Sequence, residues 1–375
     1  MGGAWRSGHT TPIAPEQGHA VSRISTKTMS MTFRRRVIRI LLILLLLPPI
    51  LAGIAGWLVA PGFLHPIRRE LTPELIREAD ASFAHSGGHR EDFDVRATDG
   101  IMLHGWIGRS DHPNGNWVLL FHGVADNRVG VVSQSEFLLR AGYSVVMLDA
   151  RAHGASEGQL ATYGWLERND TKSIIDALLA HIRRRRTDIQ VQPGYRPPEL
   201  LGDFPEHSPH PPPPPAPHIF ALGESMGAGI ALQSAAADPR IEGVVAEASF
   251  ANLREATYDY AGLRSSPLLG KTLFAPFSWM LLYRGEKLTG LPVAEVSPEK
   301  AVATRAFPVL LICDEKDDAL PCRHTQRIYT AATGPKQIWQ VPGAFHTAAI
   351  SFQPAEFQRR VLDFFANVAQ SKSVQ

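Results

Sequence analysis

The longest hydrophobic run lies near the start of the chain. From Ile40 to Ile67 there is no Asp, Glu, Lys or Arg, and the stretch Val37 to Ala60 is apolar at almost every position. An α-helix rises about 1.5 Å per residue, so ~20 such residues cross the ~30 Å hydrocarbon layer of a bilayer. No polar face exists to show to water, which counts against a core helix of a soluble domain. Residues 34–60 therefore read as a transmembrane signal anchor. Pro48 and Pro49 inside it are tolerated in a membrane helix. Arg34, Arg35, Arg36 and Arg39 precede it, so the positive-inside rule puts the N-terminus in the cytoplasm and the rest outside. A cleaved signal peptide is the alternative, because Gly53 and Ala55 offer a small-x-small site. Residues 1–33 carry no hydrophobic period and read as disordered, with Met29 and Met31 as alternative starts.

After a linker, 61–90, with a short helix over Pro73–Ala81, the pattern changes. Asp92–Ala97 and Ile101–Ile107 alternate as short strands about the turn Thr98-Asp99-Gly100. Trp117–Phe121, Ser144–Leu148, Ile219–Leu222, Gly243–Ala246, Pro308–Ile312 and Gln337–Val341 are short, continuous apolar runs. Between and after them lie helical periods at Ser133–Ala141, Leu166–Ile182 and Pro354–Ala369. Apolar strands alternating with helices predict a mostly parallel sheet of about eight strands covered on both faces. Two insertions interrupt the series. Residues 192–217 hold eleven of the 29 prolines and predict an extended surface loop; docking to a proline-reading partner module is the other use of such a tract. Residues 252–300 are rich in aromatics, Tyr258, Tyr260 and Trp279 among them, and fall where a cap would cover the C-terminal edge of the sheet.

Composition narrows the chemistry. Lys plus Arg total 38 against 36 Asp plus Glu, which offers no basic surface for nucleic acid. Arg183–Arg186 suits a helix C-terminus. Two cysteines, Cys313 and Cys322, exclude a disulfide framework and a thiolate zinc site. Both read as free thiols with no catalytic role, although an oxidising compartment would permit a bond between them. Nothing in the chain calls for a metal, nucleotide or redox cofactor, and the oligomeric state is not legible.

The sharpest local signal is Gly223-Glu224-Ser225-Met226-Gly227, with an apolar strand before it and an Ala-rich helix after it. A serine on such a turn is exposed at the positive end of the helix, and both glycines must be small for strand and helix to approach. Ser225 is therefore the candidate nucleophile. A serine hydroxyl needs a base, and the base an orienting acid. His346 follows the last strand and is the candidate base. Asp317 follows the strand before it and is the candidate acid, with Asp314 and Asp318 as rivals. An oxyanion hole would use the backbone N–H of Met226 and that of Val124, in the loop Phe121-His122-Gly123-Val124. His122 reads as packing beneath that loop.

From about residue 90 to 369 the chain resembles the α/β-hydrolase superfamily. The order Ser225, Asp317, His346 is that family's order, and Phe121-His122-Gly123 is similar to its oxyanion strand. Asp149-Ala150-Arg151-Ala152-His153-Gly154-Ala155-Ser156 is similar to a segment that braces the active-site loops in the family. Glu224 before the serine leans toward the branch of serine aminopeptidases, acylglycerol lipases and membrane-anchored bacterial relatives. Cys313-Asp314 departs from the family's usual His-Gly, and the proline insertion lies outside its common scaffold. The resemblance implies an α/β-hydrolase domain at 91–369 with a helical cap, acting on a small-molecule or lipid-like ester through an acyl-enzyme. An acyltransferase or a peptidase on the same residues, and a non-catalytic tethered binding protein, are the alternatives.

Overall fold

A computed structural model describes residues 31–191, 216–262 and 266–373, together with Gly2 and Gly8. The disordered start expected at 1–33 falls mostly outside these residues, as does all but the end of the proline tract 192–217. Two units divide the chain, Met1–Leu46 and Leu47–Gln375.

In chain order the elements are α1 (Met31–Leu64), α2 (Pro73–His85), β1 (Gly88–Asp92), β2 (Val95–Arg96), β3 (Met102–Leu103), β4 (Gly105–Ser110) and β5 (Trp117–Phe121). Then come α3 (Val132–Arg140), β6 (Ser144–Leu148), α4 (Glu167–Val191), β7 (Ile219–Glu224), α5 (Met226–Ala237) and β8 (Ile241–Glu247). The cap region holds α6 (Leu253–Ala261), α7 (Pro267–Lys271) and α8 (Ala275–Thr289). The chain closes with α9 (Pro298–Thr304), β9 (Val309–Asp314), α10 (Arg323–Ala331), β10 (Lys336–Val341), α11 (Ala349–Phe352) and α12 (Pro354–Ser373).

Eight strands form one sheet in the order β1-β4-β6-β5-β7-β8-β9-β10. The β1–β4 and β4–β6 pairs are antiparallel and the rest are parallel. The central strands are apolar on both faces because both are covered. Leu119, Val146, Ala221, Val244 and Leu311 pack on one side with α4, α5 and α10. Val118, Leu120, Val145, Phe220 and Leu310 point the other way, against α2, α3 and α12. This is the period-two alternation of a pleated strand, with each face given its own helix layer.

The first hairpin differs from expectation. Its strand begins at Gly88 and pairs with β4, Gly88 opposite Ser110. Val95–Arg96 and Met102–Leu103 form a separate two-stranded ribbon around the 98–100 turn. The chain has to turn at Phe93 and Asp94, because Phe93, Val95 and Leu103 all enter the core beside α4. Helix α10 was not foreseen; its sequence is polar, and only His324, Thr325 and Ile328 are buried.

Helix α1 is the single described helix long and apolar enough to cross a membrane. Pro48, Pro49 and Pro61 lie within it, and Gly53, Gly56, Ala60 and Leu64 are its buried positions.

Candidate active site

Parallel strands deliver their following loops to one edge of the sheet, and the chemistry collects there. Ser225 sits between β7 and α5 with φ 52° and ψ −118°, a strained conformation for a residue with a side chain. Its neighbours make the turn sterically possible. A Cβ on Gly223 would lie 2.4 Å from the Gly227 carbonyl oxygen, and one on Gly227 would lie 2.2 Å from that of Phe121. Backbone meets backbone at both places, so no larger residue fits. The Ser225 N–H donates to Glu247 O at 2.9 Å, which ties the turn to β8.

The structure brings Ser225, His346 and Asp317 together although 121 and 29 residues separate them along the chain. Ser225 Oγ lies 2.9 Å from His346 Nε2, and His346 Nδ1 lies 2.6 Å from Asp317 Oδ2. Asp317 is buried, and its other oxygen accepts the N–H groups of Ala319 and Leu320, both at 2.8 Å. Those two donors fix the carboxylate so that Oδ2 faces the imidazole. The acid and base loops are laced together, Lys316 N–H donating to Ala344 O and Gly343 N–H to the Glu315 carboxylate.

The rivals to Asp317 sit elsewhere. Asp318 is exposed. Asp314 is buried at the end of β9 and accepts the Thr347 N–H at 2.9 Å. Beside it, Glu247 at the end of β8 accepts the Ala349 N–H. Their remaining oxygens, Glu247 Oε2 and Asp314 Oδ1, are buried without an N–H donor. Burial, with the nearby charges of Asp314 and Glu224, raises the Glu247 carboxyl well above its ordinary range. Through the Thr347 and Ala349 N–H groups the two carboxyls pin the backbone on either side of Ala348, just after His346. Burial likewise pushes Glu224 up to about 8, helped by the charge of Asp126, while Gln134 donates to it at 2.9 Å.

Val124 and Met226 both line the space in front of Ser225. Gly123 passes close to the serine; a Cβ there would be 3.7 Å from Ser225 Cβ. His122 lies beneath this loop, its Nδ1–H donating to Gly123 O at 2.7 Å and its Nε2 accepting the Ala150 N–H. Burial lowers its pKa, so it is a neutral brace. Asp149 binds Arg128 through both carboxylate oxygens, and Arg151 binds Asp170 in the same two-pronged way. The segment 149–156 therefore fastens loops and does not reach the serine.

One expectation is overturned at this edge. Cys313 and Cys322 are not free thiols but a disulfide, with Cα atoms 5.3 Å apart. The bond links the end of β9 to the start of α10 and encloses the loop that carries Asp317. Spacing alone could not show that the chain doubles back between them.

A model of the X-Pro dipeptidyl-peptidase (S15) family matches residues 121–275. The uncharacterised Bacillus subtilis protein YqkD is 26% identical over 69% of this chain and 74% of its own length. The fold superposes on the Pyrococcus furiosus esterase Pf2001 with a TM-score of 0.56, at 22% identity, over 81% of this chain and 99% of that one. The Pyrococcus horikoshii acylaminoacyl peptidase gives 0.52 at 14% identity, over 75% of this chain and 42% of that one. The chain has the α/β-hydrolase fold. It is a hydrolase on that fold.

The hydrolase's serine opens on a pocket of about 800 Å³. Its walls come from unexpected places. Phe63, near the end of α1, stacks on Tyr163 with centroids 5.3 Å apart, and its carbonyl accepts the Tyr163 hydroxyl at 2.8 Å. Phe250, after β8, and Leu320, in the acid loop, complete the apolar lining. Of the cap aromatics, Tyr260 lines this pocket, whereas Trp279 and Tyr283 face outward. Phe63 and Tyr163 carried no signal, because neither lies in a motif and only folding brings them together.

Proposed function

We propose that this hydrolase is a membrane-anchored serine esterase. Ser225 is the nucleophile, His346 the general base and acid, and Asp317 the residue that orients His346. The single observation that carries the assignment is the unbroken line of hydrogen bonds from Ser225 Oγ through His346 to Asp317, opening on an apolar pocket. In the first step Ser225 Oγ attacks the ester carbonyl carbon and His346 Nε2 takes its proton. The negative oxygen that forms is held by the N–H groups of Val124 and Met226. Collapse of this intermediate breaks the ester C–O bond, and His346 returns the proton to the departing alcohol. Water then attacks the acyl-enzyme, His346 takes one of its protons, and a second collapse releases the acid and restores Ser225.

The S15 match favours a second reading, a peptidase that removes residues from a free N-terminus. That chemistry has to pair a substrate ammonium with a carboxylate, since an unpaired buried charge is costly. Among the described residues, those lining the pocket include no Asp or Glu, which favours the neutral ester. A short or medium acyl chain, or one chain of a lipid-like ester, suits such a lining.

The anchor is α1, with the N-terminus cytoplasmic by its flanking arginines. The Cys313–Cys322 disulfide suits a catalytic domain outside the cytoplasm. Gly53, within the small-x-small site and so on the side a cleavage would remove, is buried against the cap helix α8, which supports an uncleaved helix.

A fluorophosphonate probe and a chain-length series of nitrophenyl esters test the assignment, alongside X-Pro anilides. The expected result is labelling at Ser225, ester turnover exceeding anilide turnover, and a loss of ~10⁴ to 10⁶ in kcat on Ser225→Ala. Retained turnover in that variant refutes it.

A further inference from the structure

Helix α1 does more than end near the pocket. Its buried positions, Gly53, Gly56, Ala60 and Leu64, recur at helical spacing and form one face. That face lies against the cap helix α8. A Cβ on Gly56 would stand 2.1 Å from the Phe277 carbonyl oxygen, and one on Gly53 would lie 3.5 Å from Met280 Cγ. The cap is therefore packed along the same helix that would enter the bilayer. Aromatic and cationic side chains cluster around Trp57. Arg284 sits 4.7 Å over the Trp57 ring and donates to the Trp57 carbonyl. Trp57 also meets Tyr283, which Lys287 approaches at 5.6 Å. Aromatic and cationic side chains together are the usual residues of a membrane–water boundary.

Beyond that cluster lies a second apolar cavity of about 860 Å³. Leu51, Ala52 and Ala55 of α1 form one wall, and Tyr260, Phe274 and Phe277 of the cap form the other. At about 1.5 Å per residue, Ala55 to Leu51 stand ~3–9 Å deeper than Trp57, at acyl-chain level. Tyr260 lines this cavity and the Ser225 pocket alike. Two apolar spaces thus share one side chain, the outer one facing hydrocarbon and the inner one facing the nucleophile.

We propose that the cleft between α1 and the cap is a lateral portal through which the acyl chain of a bilayer-resident lipid ester reaches Ser225. The proposal rests on the serine-esterase assignment and narrows its substrate class to long-chain esters taken from the membrane. A chain leaving the bilayer through this cleft moves from hydrocarbon to an apolar protein wall and never crosses water, so the hydrophobic cost of extraction is avoided. Tyr260 stands at the junction and determines what passes.

The test uses the full chain reconstituted in phospholipid nanodiscs. Nitrophenyl butyrate, supplied from water, and nitrophenyl oleate, dissolved in the bilayer, are the two substrates. Ala55→Trp and, independently, Leu51→Trp place an indole in the outer cleft. Both positions are exposed, and fluorophosphonate labelling of Ser225 reports that each variant is folded. The expected result is that the ratio of oleate to butyrate kcat/KM falls at least about tenfold in both variants. An unchanged ratio in a labelled variant overturns the portal while leaving the esterase assignment intact. So does a wild-type enzyme that cleaves butyrate but not the bilayer-held oleate. Failure of the wild-type protein to label at Ser225 or to cleave either ester overturns the underlying assignment and the portal with it.

Discussion

Replacing Asp317 by Asn separates the acid's electrostatic and orienting role from its role in the fold. Ala319 N–H and Leu320 N–H both donate to one carboxylate oxygen. In Asp317→Asn the amide oxygen must occupy that place, because an NH₂ group there would face two donors. The amide NH₂ then points at His346 Nδ1, 2.6 Å away in the native enzyme. His346 can accept this bond only by shifting its proton to Nε2. An Nε2–H cannot take the Ser225 proton, so the base is held in the wrong tautomer. The expected loss is ~10⁴ in kcat, which is about 5 kcal/mol at 1.36 kcal/mol per tenfold. Stability should change little, since both backbone donors keep their acceptor. Kinetics on a short soluble ester, with the thermal midpoint measured in parallel, read the two effects separately. Adding Asp317→Asn to Ser225→Ala should cost almost nothing further, because the residues act as a unit. The reasoning is refuted if the Asn variant stays within tenfold of wild type, or if Asp318→Asn loses as much.

Gly227→Ala should lower both stability and turnover. Its methyl would meet the carbonyl oxygens of Phe121 and His122 at 2.2 and 2.6 Å, an overpacking worth about 1–3 kcal/mol or more. Shifting that strand end moves Val124, the proposed oxyanion donor, so kcat should fall by ~10² to 10³; a normal thermal midpoint with normal kcat contradicts this. Glu224 should make stability depend on pH. Burial raises its folded pKa to about 8 from an ordinary 4.5, so the native state holds a proton that the unfolded chain has released. That contribution is complete below the unfolded value and is lost as pH rises through about 8. The thermal midpoint of wild type should therefore decline between pH 6 and 9 more steeply than that of Glu224→Gln, which keeps an acceptor for Gln134. Parallel profiles would count against a protonated Glu224.

The alternation of apolar runs with helical periods was enough to predict the parallel part of the sheet, because strands covered on both faces have to be apolar throughout; the polar edge strand Gly88–Asp92 left no such signal. The turn at Ser225 was equally legible. Its glycines answer a local demand, and local demands leave local residue patterns. His346 and Asp317 could be singled out only by order and by following a strand. Asp314, three residues away in the same segment, satisfies the same criteria. What separates them is that Asp317 has Ala319 and Leu320 to aim its carboxylate at the imidazole, whereas Asp314 accepts the Thr347 N–H and lies beside the buried Glu247 of a neighbouring strand. That pairing joins residues 67 positions apart and leaves no trace in the spacing of either.

The same holds for the disulfide and for the pocket. Cys313 and Cys322 meet because the acid loop turns back on itself, and Phe63 meets Tyr163 across 100 residues of chain. By itself the sequence determined which segments are buried, where one serine sits on a strand-to-helix turn, and that one segment before residue 65 is a helix fit for a membrane. Tertiary structure alone decided which carboxylate faces the base, and that this helix is also a wall of the pocket. The reason is physical: periodicity and turn chemistry are set by neighbours along the backbone, whereas the partner of a buried side chain is set by whatever the folded chain brings within 3 Å of it.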